Sequence, residues 1–237
     1  MDWSAPVDLY CERMGPGFWA EPWNAVSNAA FLLAALWGWI EARRTGAVGG
    51  VTLLLIALAA LIGVGSFLFH SFATAWSGLA DVLPIWSFVA VAVIVGMARV
   101  GGLAPARIAV IALAVVLALV LLVVAVTLPG GDQAARAPTK PPVLNGSLQY
   151  TPAVVALVAF SAMAWRSGHP LAGWIVAATV TFLLSLTFRT IDLAVCNTFS
   201  RGTHFLWHLL NGLMIGLVLQ VLVRAERLEP RQHAGRV

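Results

Sequence analysis

Long apolar runs, broken by short polar or Gly/Pro-bearing segments, recur along almost the whole chain. A membrane-spanning helix needs about 20 mostly apolar residues. Seven segments meet that need: 24–42, 51–70, 81–98, 105–128, 152–165, 171–189 and 204–224. The fifth is the shortest. Between the fourth and fifth, residues 129–150 carry Pro129, Gly130, Gly131, Pro138, Pro141 and Pro142, which break any helix. The other connections are short, as in a compact bundle. The pattern predicts an all-α integral membrane protein built as a seven-transmembrane-helix bundle. It divides into an extramembrane N-terminal segment (1–23), the helical domain (24–224) and a charged, mobile cytoplasmic tail (225–237).

Composition supports this. The 237 residues are 60% hydrophobic and 10% charged, whereas a soluble domain carries about 25% charged residues. Residues 1–20 are acidic and lack a continuous apolar core, so no secretory signal peptide is expected. The net charge of +4 does not point to nucleic acid, because the basic residues sit in loops and the tail.

Seven crossings place the termini on opposite sides. With the N-terminus outside, the inner segments hold nine basic residues (Arg43, Arg44, Arg99, Arg107, Arg166, Arg224, Arg227, Arg231 and Arg236). The outer segments hold five: Arg13, Arg136, Lys140, Arg189 and Arg201. The positive-inside rule therefore predicts N-terminus out, C-terminus in. Cys11 and Cys196 then share the outer side and form either a disulfide, in an oxidising compartment, or two unpaired thiols.

Ionisable groups inside such spans are functional candidates by default. His204 and His208 are spaced i, i+4 and share one helix face. His70 closes the second span, and Asp81 opens the third. The predicted topology puts all four at one leaflet. Three imidazoles suit a zinc ion that keeps its fourth position for water, and such a water ionises near neutral pH. Asp81 is placed to shuttle a proton. Ser66, one turn before His70, can donate to a developing oxyanion or serve close helix packing together with Gly63 and Gly65. The alternative for the histidines is interfacial bonding to backbone and headgroups.

A second group, Asp8, Glu12, Glu21 and Asn24, offers the hard oxygen ligands that suit calcium, or simply caps and solvates the first helix. Asp192 is expected to pair with Arg189 at i, i+3, as a structural contact.

At these residues the chain resembles the alkaline ceramidase family, within the superfamily of seven-helix hydrolases that also includes the adiponectin-type receptors. The stretches that carry the resemblance are Tyr10-Cys11-Glu12, Glu21-Pro22-Trp23-Asn24-Ala25-Val26-Ser27-Asn28 and Gly65-Ser66-Phe67-Leu68-Phe69-His70. Leu79-Ala80-Asp81-Val82-Leu83-Pro84, Asp192 to Cys196, and His204-Phe205-Leu206-Trp207-His208 complete it. The resemblance implies zinc on His70, His204 and His208, and roles for Ser66 and Asp81 in hydrolysing the amide of a ceramide. It implies an N-terminal calcium site in eukaryotic members, onto which Asp8, the Tyr10 carbonyl, Glu12 and Glu21 map. The family's Asp-Trp-Cys-Glu run stands here as Leu9-Tyr10-Cys11-Glu12, and Met14 replaces an asparagine. The Ala/Gly/Arg-rich composition suggests a bacterial member, placed in the inner membrane. A receptor-like or lipid-binding protein with structural zinc, and a hydrolase of another lipid amide or ester, remain the alternatives.

Overall fold

The computed structural model describes residues 2–127 and 143–234. Within them the chain is helical, and the one β feature is an isolated bridge between Pro6 and Thr74. The helices are α1 (Pro22–Ser27), α2 (Ala29–Thr45), α3 (Gly50–Phe72), α4 (Ala75–Arg99), α5 (Pro105–Thr127), α6 (Thr151–Arg166), α7 (Ala172–Ile191) and α8 (His204–Ala234). A 3-10 segment, Val143–Tyr150, leads into α6.

Among the described residues six spans are long and apolar enough to cross a membrane: Pro22–Thr45, Gly50–Phe72, Ala75–Arg99, Val143–Arg166, Ala172–Ile191 and His204–Leu228. α5 lies where the fourth span is expected, and its shorter apolar stretch is Pro105–Val115. The first span is two helices, because the chain turns at Asn28 between α1 and α2.

α8 is the most buried span and packs chiefly on α2 and α7, while α3 pairs with α2 and α4. Lipid and helix surfaces are equally apolar, so association in a membrane depends on close packing of small residues. Gly212 shows this on α8: a Cβ there would lie 2.6 Å from the Cβ of Ala30 on α2. Gly65 does the same for α3 against α4, where a Cβ would lie 2.8 Å from the Ala80 carbonyl carbon.

Three expectations change. α4 begins at Ala75, so Asp81 lies inside the helix instead of opening it. The start is fixed by Thr74 and Ser77, which cap each other reciprocally, with Thr74 N–H donating to Ser77 Oγ at 3.0 Å. The linker expected over 129–150 ends early, since residues 143–150 are already 3-10 helical, with left-handed Leu144, Asn145 and Gly146 supplying a kink; residues 128–142 lie outside the described residues. The segment expected as a mobile tail from 225 continues α8 to Ala234. Its first turn is anchored: Glu226 pairs with Arg99 at 3.0 Å and accepts from Thr52 Oγ1 at 2.8 Å, and Ala225 is buried.

Candidate active site

His70 is in the last turn of α3, Asp81 in the second turn of α4, and His204 and His208 in the first two turns of α8. Antiparallel packing brings these ends together. The ligating nitrogens of His70, His204 and His208 lie within 4.8 Å of one another, and the three side chains are 1–2% exposed. It is the one such group of metal-capable side chains among the described residues.

Each ring has a defined environment. His70 Nδ1 meets Glu21 Oε2 at 2.6 Å, and its carbonyl accepts from Arg13 Nη2 at 2.9 Å. His208 Nδ1 lies 2.8 Å from Ser27 Oγ. Outer partners of this kind fix the tautomer and orientation of metal-binding imidazoles. The His204 ring stacks on Tyr10, with centroids 3.7 Å apart and planes 19° from parallel. Its Nδ1 is buried without a hydrogen-bonding partner. A buried polar atom of that kind needs an explanation, and an ion bound through this nitrogen would supply one. Imidazoles oriented from behind and shielded from water fit zinc.

Asp81 and Ser66 flank this cluster. Close contact of α3 with α4 at Gly65 puts the buried Ser66 side chain facing Asp81. Asp81 Oδ1 is buried and unpartnered. The carboxylate thus keeps one oxygen free of protein partners, with Ser66 as its side-chain neighbour.

Of the two readings of the N-terminal acids, the contacts favour capping and local bonding. Asp8 is exposed and is not gathered with the glutamates into a metal-capable group. Glu12 accepts from the backbone N–H groups of Trp23 and Asn24, both at 2.8 Å, and so caps α1 from outside the helix. Burial raises its carboxyl above the ordinary range, against those two hydrogen bonds. Glu21 binds Arg13, His70 and Asn24. Burial pushes its carboxyl up too, but bonding to His70, Asn24 and Arg13 outweighs burial and holds it below the usual range. The Tyr10 carbonyl accepts from Arg13 N–H at 3.3 Å. These oxygens meet protein donors, and among the described residues the N-terminal acids form no group of three metal-capable side chains.

The segment before α1 is instead a cover over the histidines. Val7 N–H donates to the Ala73 carbonyl at 2.8 Å, and Ala75 N–H to Ala5 at 3.0 Å. Cys11 and Cys196 form a disulfide with Cα atoms 5.5 Å apart. Asp192 does not pair with Arg189. Its Oδ1 accepts from the N–H groups of Thr203 and His204 at 2.7 and 2.9 Å, and its Oδ2 from Cys11 N–H at 3.1 Å. The open N–H groups at the start of α8 outcompete the guanidinium. Buried Arg189 lies 5.3–5.9 Å from the rings of Tyr10, Tyr150 and Trp207 and donates to Tyr10 Oη at 3.3 Å.

Away from the histidines, between α4, α6, α7 and α8, lies a cavity of about 110 Å³. It follows α4 from Ile85 to Val100 and α8 from Asn211 to Leu222. At the usual rise of about 1.5 Å per residue the stretch on α4 is roughly 22 Å long. The cavity lining is almost wholly apolar.

A helical bundle with spans of membrane-crossing length, holding a buried three-histidine cluster beside a carboxylate and a hydroxyl, defines an integral membrane protein with a centre that could hold a metal ion. The family model for Ceramidase matches residues 10–235. That is nearly the full chain, and the protein belongs to the ceramidase family. A search of curated proteins finds no match.

Sequence reasoning missed several site residues. Ser27 and Tyr10 as ring partners, the Glu21–His70 contact and the role of Asp192 all join segments far apart in the chain. Glu21 gave a signal, an acid beside the first span, but its partner was not readable.

Proposed function

We propose that this protein is a zinc-dependent intramembrane amidohydrolase. It cleaves the amide of ceramide-like N-acyl sphingoid lipids to a fatty acid and a long-chain amine. The observation that carries the reading is the buried convergence of His70, His204 and His208 beside Asp81, whose Oδ1 has no protein partner.

Zinc held by the three histidines would supply Lewis-acid activation of water and of the amide carbonyl. The chain's own groups do the rest. Asp81 takes a proton from the attacking water and delivers it to the amide nitrogen as the C–N bond breaks. The hydroxyl from water stays on the acyl carbon, giving the acid and the free amine. Ser66 donates to the oxygen that gains charge. Glu21 and Ser27 keep two of the imidazoles in register. The N-terminal cover limits water, and the apolar cavity receives part of one chain.

The membrane arrangement belongs to the same reading. α5 is the fourth of seven spans, the N-terminus lies outside and the C-terminus in the cytoplasm. The site then faces the outer side of a bacterial inner membrane. The Cys11–Cys196 disulfide, next to the site, supports an oxidising compartment on that side. A tag at Val237 reached only from outside intact cells overturns the orientation.

The deciding experiment assays purified protein against N-acyl sphingoid lipids, other N-acyl amines and lipid esters, with and without chelator. Amide cleavage lost on chelation and restored by zinc supports the reading. Ester cleavage alone, or a metal needed for folding but for no turnover, overturns it.

A further inference from the structure

The apolar cavity, which begins on α8 one turn beyond His208, is lined by apolar side chains except at two positions, Tyr150 and Asn211. Asn211 is only 6% exposed, and its Oδ1 has no hydrogen-bonding partner. A buried amide in an apolar wall is unfavourable unless something pairs with it. Leucine-like residues fill comparable positions on α8, including Met214, Ile215 and Val218. An amide here has no packing purpose that an apolar isostere would not serve better.

Its position indicates what it pairs with. Asn211 follows His208 by three residues, so it lies one turn further into the bundle on the same side of α8. At about 1.5 Å per residue the step is roughly 4.5 Å along the axis. A chain whose amide carbonyl sits at the histidine cluster passes Asn211 with its first carbons. We propose that Asn211 is a specificity-determining residue that hydrogen-bonds a hydroxyl on the second or third carbon of the acyl chain. The preferred substrates are therefore N-(hydroxyacyl) lipids. This rests on the amidohydrolase reading and narrows its substrate class. The side-chain amide offers both a donor and an acceptor, so it can serve either lone pair or proton of that hydroxyl. A chain lacking the hydroxyl leaves the amide unpaired in the bound state, and polar sites reject such analogues strongly.

The test uses full-length, zinc-loaded protein and three matched lipids: N-palmitoyl, N-(2-hydroxypalmitoyl) and N-(3-hydroxypalmitoyl) sphinganine. The wild type should favour one hydroxylated lipid by about tenfold or more in kcat/KM. Asn211→Leu should bring that ratio close to one by losing the hydroxylated substrate, with turnover of the plain lipid and zinc content retained. Its melting temperature should hold or rise, because an unpaired buried polar group has been removed. Equal turnover of the three lipids by the wild type, or an equal loss on all of them in Asn211→Leu, overturns the inference. A second arm needs no turnover: binding of free palmitate and its 2- and 3-hydroxy forms to both proteins. Tighter binding of a hydroxy acid by the wild type and equal binding by the variant support the inference; equal binding by the wild type overturns it. If no N-acyl lipid is cleaved, the amidohydrolase reading fails, and the binding arm still decides Asn211.

Discussion

Glu21 holds His70 through a 2.6 Å contact between its Oε2 and the ring's Nδ1, joining the end of the N-terminal segment to the end of α3. The same carboxylate binds Arg13, whose Nη2 reaches the His70 carbonyl. One acidic residue thus secures a proposed zinc ligand from its rear and from its backbone.

Glu21→Gln should weaken zinc binding by about 10–100-fold, the usual effect of losing an outer partner of a ligating histidine. Competition with a chromogenic chelator measures it. Unchanged affinity would show that Glu21 is needed only for the fold of the N-terminal segment.

Asp81→Asn should lower kcat by about a hundredfold or more while zinc remains bound at wild-type stoichiometry. The amide substitution keeps the shape and removes the proton acceptor. Metal analysis and turnover on the same preparation check the prediction, and substantial retained activity eliminates Asp81 as the shuttle.

Replacing His208 by alanine removes one of the three imidazoles and should abolish stoichiometric zinc. Elemental analysis of monodisperse protein in detergent is the measurement. Zinc retained at one per chain would place the metal elsewhere.

The double variant Cys11→Ala, Cys196→Ala should be less stable by about 2–4 kcal/mol, since the bridge closes a loop across 185 residues. Thermal unfolding in detergent, compared with reductant-treated wild type, reads the difference. Because Cys11 N–H also donates to Asp192, which receives the N–H of His204, activity should fall with the bridge.

Gly212→Leu should destabilise the bundle by roughly 1–3 kcal/mol through overpacking. Even its Cβ has no room against the backbone of Ala30, so α2 and α8 must separate. A melting temperature equal to the wild type's would contradict the close approach.

Much was legible in the chain because it is local. The length of an apolar run states whether a helix can span a bilayer, and an i, i+4 spacing states which face two histidines share. Short connections force alternating directions, so His70, Asp81 and His204 had to reach the same end of the bundle. The exact start of α4 was not legible, as a reciprocal Thr74–Ser77 cap moved Asp81 inside the helix.

What tertiary structure alone decided involves residues far apart in sequence. The i, i+3 rule pairs Asp192 with Arg189, but the unsatisfied N–H groups at the start of α8 and the N–H of Cys11 bind it more effectively. Acidic spacing near the N-terminus suggested calcium, yet the glutamates face the start of α1, His70 and Arg13, groups that lie close to them only after folding. The sequence by itself determined a membrane helix bundle with three converging imidazoles, because periodicity and hydropathy act over neighbouring residues. Only packing decided that the N-terminal segment covers those imidazoles and that Asn211 lines the apolar cavity, because both depend on which distant segments the fold brings together.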